Sequence, residues 1–334
     1  MKYTQIIPGS KIPEHIIDCL NEQPARSGMY NWIFAHKGEI NIWDDVKDRL
    51  EDFDVVQVNM SPIDMPIIPE IRRRLGENSK TKLVLNNDYV CEYWGKWGLD
   101  HLRYDQIQRM GDMVFGTEPH QVSNMINGSF CIPHPTNTKI LKHLGVDKQL
   151  KENSVAFIYH WWAGQSHLAS RTLRIVQEKY GLKKTKMFGY QPKPGTDEMK
   201  TYNKFMFNEV SPLEQFPDFI QTLQKEKAIF DPNPYHTYGR NGVEAACLGI
   251  PVVGSNRVLS YNELFPDLVC DPFDHNEIMR KFKIIFECPK LMKSILNVAY
   301  DKVEMFNYEN SVKKYEDALK IAVDRGGHKW YQKQ

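Results

Sequence analysis

The sequence predicts an α/β protein made of two consecutive doubly wound units, and three observations carry that expectation. From Tyr3 onward, short apolar runs alternate with longer amphipathic segments, the pattern of parallel strands covered by helices. The alternation breaks at Cys131-Ile-Pro133-His-Pro135-Thr-Asn-Thr138, where two prolines and a turn-rich tail interrupt it. It then restarts at Val155 and continues in the same manner.

In the first half, Tyr3–Ile7 reads as a strand stopped by Pro8-Gly9-Ser10, and Pro13–Asn21 as a helix. Asp54–Asn59 reads as a buried strand, followed by a helix over Ile68–Leu75. Lys82–Leu85 is the next strand, with Asn86-Asn87-Asp88 just past its end, and Met113–Gly116 another, before a short helix near Pro119–Met125. Asp44 and Asp45 read as a helix-start pair. A boundary falls within about 131–152, at a length consistent with two domains. Beyond a short helix over Lys139–Gly145, strands are expected at Val155–Tyr159, Lys186–Tyr190, Ala228–Asp231 and Pro251–Gly254. Helices are expected at Gln165–Tyr180, Pro212–Lys225 and Asn241–Leu248, the last closed by Gly249. Helices over Glu277–Glu287, Leu291–Tyr300 and Asn310–Val323 follow, with a loose polar tail from Gly326.

Composition narrows the class. Of 334 residues, 43 are Lys or Arg and 42 Asp or Glu; that balance gives no global attraction to nucleic acid or anionic membrane. No apolar run reaches the roughly 18–20 residues of a membrane span, and the first residues carry no signal-peptide core, so a cytoplasmic protein is expected. The six cysteines are scattered without a CxxC pair and read as reduced thiols. The aromatic clusters Tyr93-Trp94-Trp97 and Tyr159-His160-Trp161-Trp162 each follow an expected strand, where ligands sit in open α/β sheets.

The chemistry concentrates between Asp231 and Gly254. A strand ends at Asp231, prolines stiffen the loop, and Gly239 permits a close backbone approach or positive φ. A helix starts near Arg240, where backbone N–H groups and the helix dipole favour a phosphate and Arg240 adds fixed charge. Glu244 lies one turn further on the same side, where a carboxylate can accept from a ribose diol. The combination points to a nucleoside diphosphate.

The segment resembles the donor-site signature of retaining GT-B glycosyltransferases, the large family 4 and its relatives, a Glu-x7-Glu pattern followed by Gly-x-Pro-Val-Val. His236 occupies the first acidic position, Gly239 the internal glycine, Arg240 the arginine after it and Glu244 the second glutamate; Ala245, Gly249, Pro251, Val252 and Val253 complete the match. Tyr261-Asn-Glu-Leu-Phe, Asp271-Pro-Phe-Asp274 and Phe306-Asn-Tyr-Glu309 resemble the elements downstream, Ile132-Pro-His-Pro the interdomain entry, and Leu85-Asn-Asn-Asp88 a strand that in the family ends in His-Asp. The likeness covers most of 54–323 and is strongest over 226–275. There are departures: His236 stands for a glutamate, no Lys follows the strand Val155–Tyr159, and Asn87-Asp88 lacks the family's His.

The resemblance implies a GT-B fold, two Rossmann-like doubly wound domains facing across a cleft. Residues 1–135 form the acceptor side, 150–309 bind the donor, and a terminal helix at about 310–323 packs back on the first domain. It implies transfer of a sugar from a UDP- or GDP-linked donor to a hydroxyl, with retention, without metal and without a further cofactor. Tyr238, Gly239, Arg240 and Asn241 would face the diphosphate together with Gln165 and Ser166, Glu244 the ribose, and Tyr190 and Val210 the nucleobase. His236 and Asp88 are the catalytic candidates, and Gly9, Asn59 and Asn87 line the acceptor side. Glycan, lipid-linked glycan, small metabolite, protein and modified DNA base all remain open as acceptor. A catalytically silent nucleotide-sugar-binding protein and a sugar-nucleotide epimerase of the same fold are the alternatives.

Overall fold

The apolar runs form two six-stranded sheets whose strand pairs are all parallel. The computed structural model describes residues 1–14, 16–17, 28–88, 101–145, 152–158, 166–190, 207–212 and 216–332. The first sheet's segment runs β1 (Tyr3–Ile7), α1 (Asn31–His36), β2 (Glu39–Ile42), α2 (Trp43–Val46), β3 (Val55–Asn59), α3 (Ile68–Leu75), β4 (Lys82–Asn87), α4 (His101–Gln108), β5 (Met113–Gly116), α5 (Pro119–Ser123) and β6 (Phe130–Cys131). The second comprises α6 (Thr138–Leu144), β7 (Ser154–Ile158), α7 (Ser166–Tyr180), β8 (Lys184–Tyr190), β9 (Glu209–Pro212), α8 (Phe216–Leu223), β10 (Ala228–Asp231), α9 (Arg240–Leu248), β11 (Val252–Ser255), α10 (Leu259–Leu264), β12 (Val269–Cys270), α11 (His275–Glu287) and α12 (Pro289–Lys302). Then come α13 (Tyr308–Asp324) and α14 (His328–Tyr331).

The strand orders are β2-β1-β3-β4-β5-β6 and β12-β11-β10-β7-β8-β9, so each sheet starts at an interior strand and winds outward both ways, the doubly wound arrangement. Two compact units result. One comprises Met1–Thr136, His236–Tyr238 and Phe306–Gln334; the other comprises Asn137–Tyr235 and Gly239–Met305.

Period-two side-chain alternation divides the first unit's core in two. Val56, Val58, Leu83 and Leu85 join one cluster with α3, while Tyr3, Val55, Val84 and Phe115 join another with α1 and α13. Both faces are thus covered, and every residue of β3 is buried. The weakly apolar edge strand β2 is partly exposed, and β6 and β12 are two residues each. These edges, with β9, carry no apolar run that marks them in the sequence. Among the described residues no helix is long and apolar enough to cross a membrane.

The segment from Gly326, expected to be loose, is instead anchored. His328 gives its backbone N–H and places Nδ1 2.9 Å from Asp112 Oδ1, while Arg72 Nη2 lies 2.7 Å from Asp112 Oδ2. Tyr331 is buried in the same cluster as α3. Burial works to raise the Asp112 carboxyl, but the His328 and Arg72 contacts and the Leu83 N–H outweigh it and hold it well below the usual range. Polar composition alone misled here, because the polar groups of the tail find their partners 216 positions upstream in the chain.

On the other face, α13 is docked through Tyr315, whose ring meets Trp32, His36 and Phe115 at 5.1, 4.7 and 5.7 Å, while His36 also stacks on Tyr3 at 4.5 Å. Nε2 of His36 is buried and has no hydrogen-bond partner among the described residues. Burial, helped by the N-terminal ammonium, pushes the His36 imidazole down to about 4. A base depressed in the folded state binds its proton more tightly when unfolded. Its contribution is therefore complete above about pH 6.5 and is lost as pH falls toward 4. We expect His36 to contribute a loss of roughly 3 kcal/mol to the denaturation free energy across that window, at about 1.4 kcal/mol per unit, against which the raised carboxyl of the partly buried Asp64 works in the same pH range. His36→Phe, which keeps the stack, should flatten this dependence; an unchanged slope would rule out His36 as its source.

Candidate functional site

In the second unit, β10 delivers the chain at Asp231, and the loop beyond it is tied from both sides. Asn233 Oδ1 accepts from the Tyr235 N–H at 3.0 Å, and Arg257 Nη1 donates to the Pro234 carbonyl at 2.6 Å. Gly239 then takes a left-handed conformation, φ +73°, as the residue that caps α9. A cap without a side chain leaves no side-chain oxygen to compete for the first N–H groups of a nine-residue helix, which suits that end to an anion. Arg240 Nε donates to Glu244 Oε1, and Glu244 is buried. Burial raises the Glu244 carboxyl above its usual range, and the Arg240 charge and hydrogen bond oppose that rise. The cation and the carboxylate expected to meet phosphate and ribose therefore hold each other.

Two residues not expected in the site, Ser260 and the Tyr261 of the downstream element, brace this turn from α10. Ser260 Oγ donates to the Gly239 carbonyl, and the Tyr261 hydroxyl donates to Asp231. A Cβ on Gly239 would lie 2.0 Å from Val258 Cγ1, and one on Gly242 2.3 Å from Ser260 Oγ. Glycine at both places lets α10 close on α9. Of the other donor-side candidates, Ser166 opens α7, Tyr190 ends β8 and Val210 lies in β9. Gln165 and the aromatics of 159–162 lie outside the described residues, as do Tyr93–Trp97 of the acceptor side.

In the first unit the carboxyl ends of β1, β3 and β4 carry Gly9, Asn59, Asn87 and Asp88. Asn59 Oδ1 accepts from Asn86 Nδ2 at 2.9 Å, and Asn87 is buried. Asp88 Oδ1 lies 2.6 Å from Nε2 of His134, so the imidazole absent from the strand itself arrives from beyond β6. Tyr238 is buried with its hydroxyl on the His134 carbonyl at 3.1 Å and its ring edge-on to Phe306. His236 stacks on His120 with ring centroids 4.0 Å apart. The Glu118 carboxylate, accepting from the His120 N–H at 2.8 Å and from Gln121, caps the helix that presents His120. His236 and Tyr238 thus cluster with the first unit, whereas Gly239 to Glu244 belong to the second, which divides the sequence signature. His120 and His134 were not singled out as site residues; the partners that would mark them lie 116 and 46 positions away in the sequence. Among the described residues no three His, Cys, Asp or Glu side chains come together as metal ligands.

The two doubly wound units, of six parallel strands each, match the GT-B fold of the solved structures the chain is similar to. No family model and no curated protein matches the chain. Among solved structures it is similar to HepE of Anabaena in complex with UDP and glucose, with TM-score 0.64 and 12% identity, covering 96% of this chain and 100% of that one. It is also similar to an alpha-glucosyltransferase in complex with UDP and a 13-mer DNA, with TM-score 0.62 and 11% identity over 97% and 100%. The alpha,alpha-trehalose 6-phosphate synthase of Burkholderia multivorans gives TM-score 0.65 at 8% identity, over 90% and 77%. At such identities the likeness is one of fold.

The two glycines that cap α9 should respond differently to the same substitution. Gly249 is left-handed, φ +65°, with open space around its missing Cβ, so Gly249→Ala should cost about 1 kcal/mol of backbone strain. Gly239→Ala adds the clash with Val258 and should cost distinctly more, on the order of 2–4 kcal/mol. Urea denaturation of both variants checks the difference; equal losses would show that Val258 yields freely.

Proposed function

We propose that the protein is a glycosyltransferase that moves a sugar from a UDP- or GDP-linked donor to a hydroxyl acceptor. The observation that carries this reading is the α9 terminus: a left-handed glycine, then Arg240 and Glu244 paired one helical turn apart at the carboxyl edge of a parallel sheet. It stands on a fold whose solved examples include complexes with UDP. In this reading Tyr238, Gly239, Arg240 and Asn241, with Gln165 and Ser166, belong to the diphosphate site, Glu244 accepts from the ribose and Tyr190 and Val210 flank the base. A bound nucleotide takes over both halves of the Arg240–Glu244 pair, phosphate oxygens replacing the carboxylate and ribose hydroxyls replacing the guanidinium. Negative charge grows on the departing diphosphate in the transition state, so preorganised donors there lower the barrier. The acceptor enters past Gly9, Asn59, Asn87 and Asp88.

Retention and metal independence are part of the proposal. Front-face transfer lets the leaving phosphate take the acceptor's proton, so no strong base is needed and His236 has only to hold a sugar hydroxyl. The helix terminus and Arg240 supply the charge a metal would otherwise bring. Asp44 and Asp45, an adjacent acidic pair, sit in the first turn of α2, with Lys47 3.6 Å from Asp44. No separate cofactor is called for, and we place the enzyme in the cytoplasm, where Cys247 and Cys270, both buried thiols, stay reduced.

Two measurements test the reading. Glu244→Ala should weaken UDP or GDP binding roughly 5- to 150-fold, the equivalent of about 1–3 kcal/mol for a lost hydrogen-bonding carboxylate. Calorimetry on the folded variant decides this, and unchanged affinity for both nucleotides removes the ribose role. With the preferred donor, the product's anomeric configuration by NMR should match the donor's, and turnover should survive excess EDTA. An inverted product would refute the front-face mechanism, and chelation rescued by Mg²⁺ or Mn²⁺ would refute metal independence.

A further inference from the structure

Asp88 is the acceptor-side carboxylate of the proposed reaction, and its geometry is set by another residue. We infer that His134 is the positioning residue of Asp88, holding one carboxylate oxygen so that the other is aimed at the acceptor hydroxyl. This rests on the transferase reading above.

The hydrogen-bond arithmetic is restrictive. An ionised carboxylate only accepts, so at 2.6 Å the proton between the two side chains belongs to Nε2 of His134. The ring is 3% exposed, and its Nδ1 is buried with no partner among the described residues. A neutral His134 therefore carries its single proton on Nε2, directed at Asp88. Among the described residues no carbonyl or carboxylate grips the ring from behind, as usually happens when a histidine's tautomer must be fixed.

Packing does that work instead. Across from the ring is Gly28, where a Cβ would lie 2.8 Å from His134 Cδ2; any larger residue would push the imidazole away. Tyr238 stands edge-on at 5.8 Å and 86°, and its hydroxyl pins the His134 carbonyl. The contacts Tyr238–His134–Asp88 thus lead from the residue before Gly239 to the carboxylate. The Asp88 side chain is 23% exposed, and among the described residues His134 is its one hydrogen-bond partner. Among the described residues one oxygen is held and the other is left for an incoming hydroxyl. Released from His134, a short carboxylate at a strand end would turn among rotamers and orient the hydroxyl only part of the time.

The test uses the full chain, with whichever of UDP-glucose, UDP-N-acetylglucosamine and GDP-mannose the wild type turns over, and with water and glycerol as acceptor probes. His134→Leu removes the donor, whereas His134→Gln can place an amide N–H near the position of Nε2. We expect His134→Leu to lower kcat about tenfold or more, with UDP and GDP affinity unchanged, and His134→Gln to recover most of the loss. In an Asp88→Asn background His134→Leu should add nothing. Long-range ¹⁵N–¹H NMR should show His134 as the Nε2–H tautomer with a slowly exchanging proton that Asp88→Asn releases. An Nδ1–H tautomer, additive losses in the double variant, or a His134→Gln as impaired as His134→Leu overturns the inference. Should His134→Leu fail to fold, the glutamine variant and the NMR signature decide alone. A wild type that releases nucleotide from none of the three donors defeats the transferase reading itself, an outcome distinct from any of these.

Discussion

A parallel sheet in this protein leaves neither of its faces to water, and the placement of both candidate sites depends on that burial. Alternate residues of β3 and β4 enter two different apolar clusters, so helices must cover both sides. With the faces closed, the carboxyl ends of the strands are where the main chain emerges and polar side chains can gather. Asn59, Asn87 and Asp88 gather there in the first unit, and Asp231 with the loop before α9 in the second. The opposite ends serve stability: Asp112, just before β5, gathers Arg72, His328 and the Leu83 N–H.

Local backbone geometry then shapes the donor-side candidate. The left-handed Gly239 redirects the chain into α9, and α10 approaches closely enough that Ser260 and Tyr261 can bind the turn at its carbonyl and at Asp231. The same tightness places Glu244 out of water, where a carboxylate needs a cationic partner and finds Arg240 one turn away. The three residues before Gly239 go elsewhere. Tyr238 and His236 pack with the first unit against His134, Phe306 and His120, so one continuous signature serves both units.

Central strands were legible because burial on both faces demands uninterrupted apolar residues, and turn formers bracket them. Tyr3–Ile7 before Pro8-Gly9, Met113–Gly116 after Gly111, and Ala228–Asp231 before two prolines all form with the bounds expected. Helix Ile68–Leu75 does likewise, through the spacing of Ile68, Ile71 and Leu75 on its buried side. Edge strands were not legible. Glu39–Ile42 pairs on one side only and stays partly exposed, so nothing obliges its residues to be apolar. The tail after Gly326 was misread for a related reason: its anchors, Asp112 and the α3 cluster, are remote in sequence.

By itself the sequence determined the alternation of strand and helix, the two parallel sheets and the place of the Gly239–Glu244 turn. These are written in local periodicity, in proline and glycine punctuation and in residue spacing along one helix face. Tertiary structure alone decided which side chains face each other across the chain. It brought His134 to Asp88, His120 to His236, and Ser260 and Tyr261 to the Gly239 loop. Such pairs depend on the order in which strands assemble and on where glycines leave room. Hydrophobic periodicity is a property of one segment and its solvent, whereas a hydrogen bond between distant residues is a property of two segments at once.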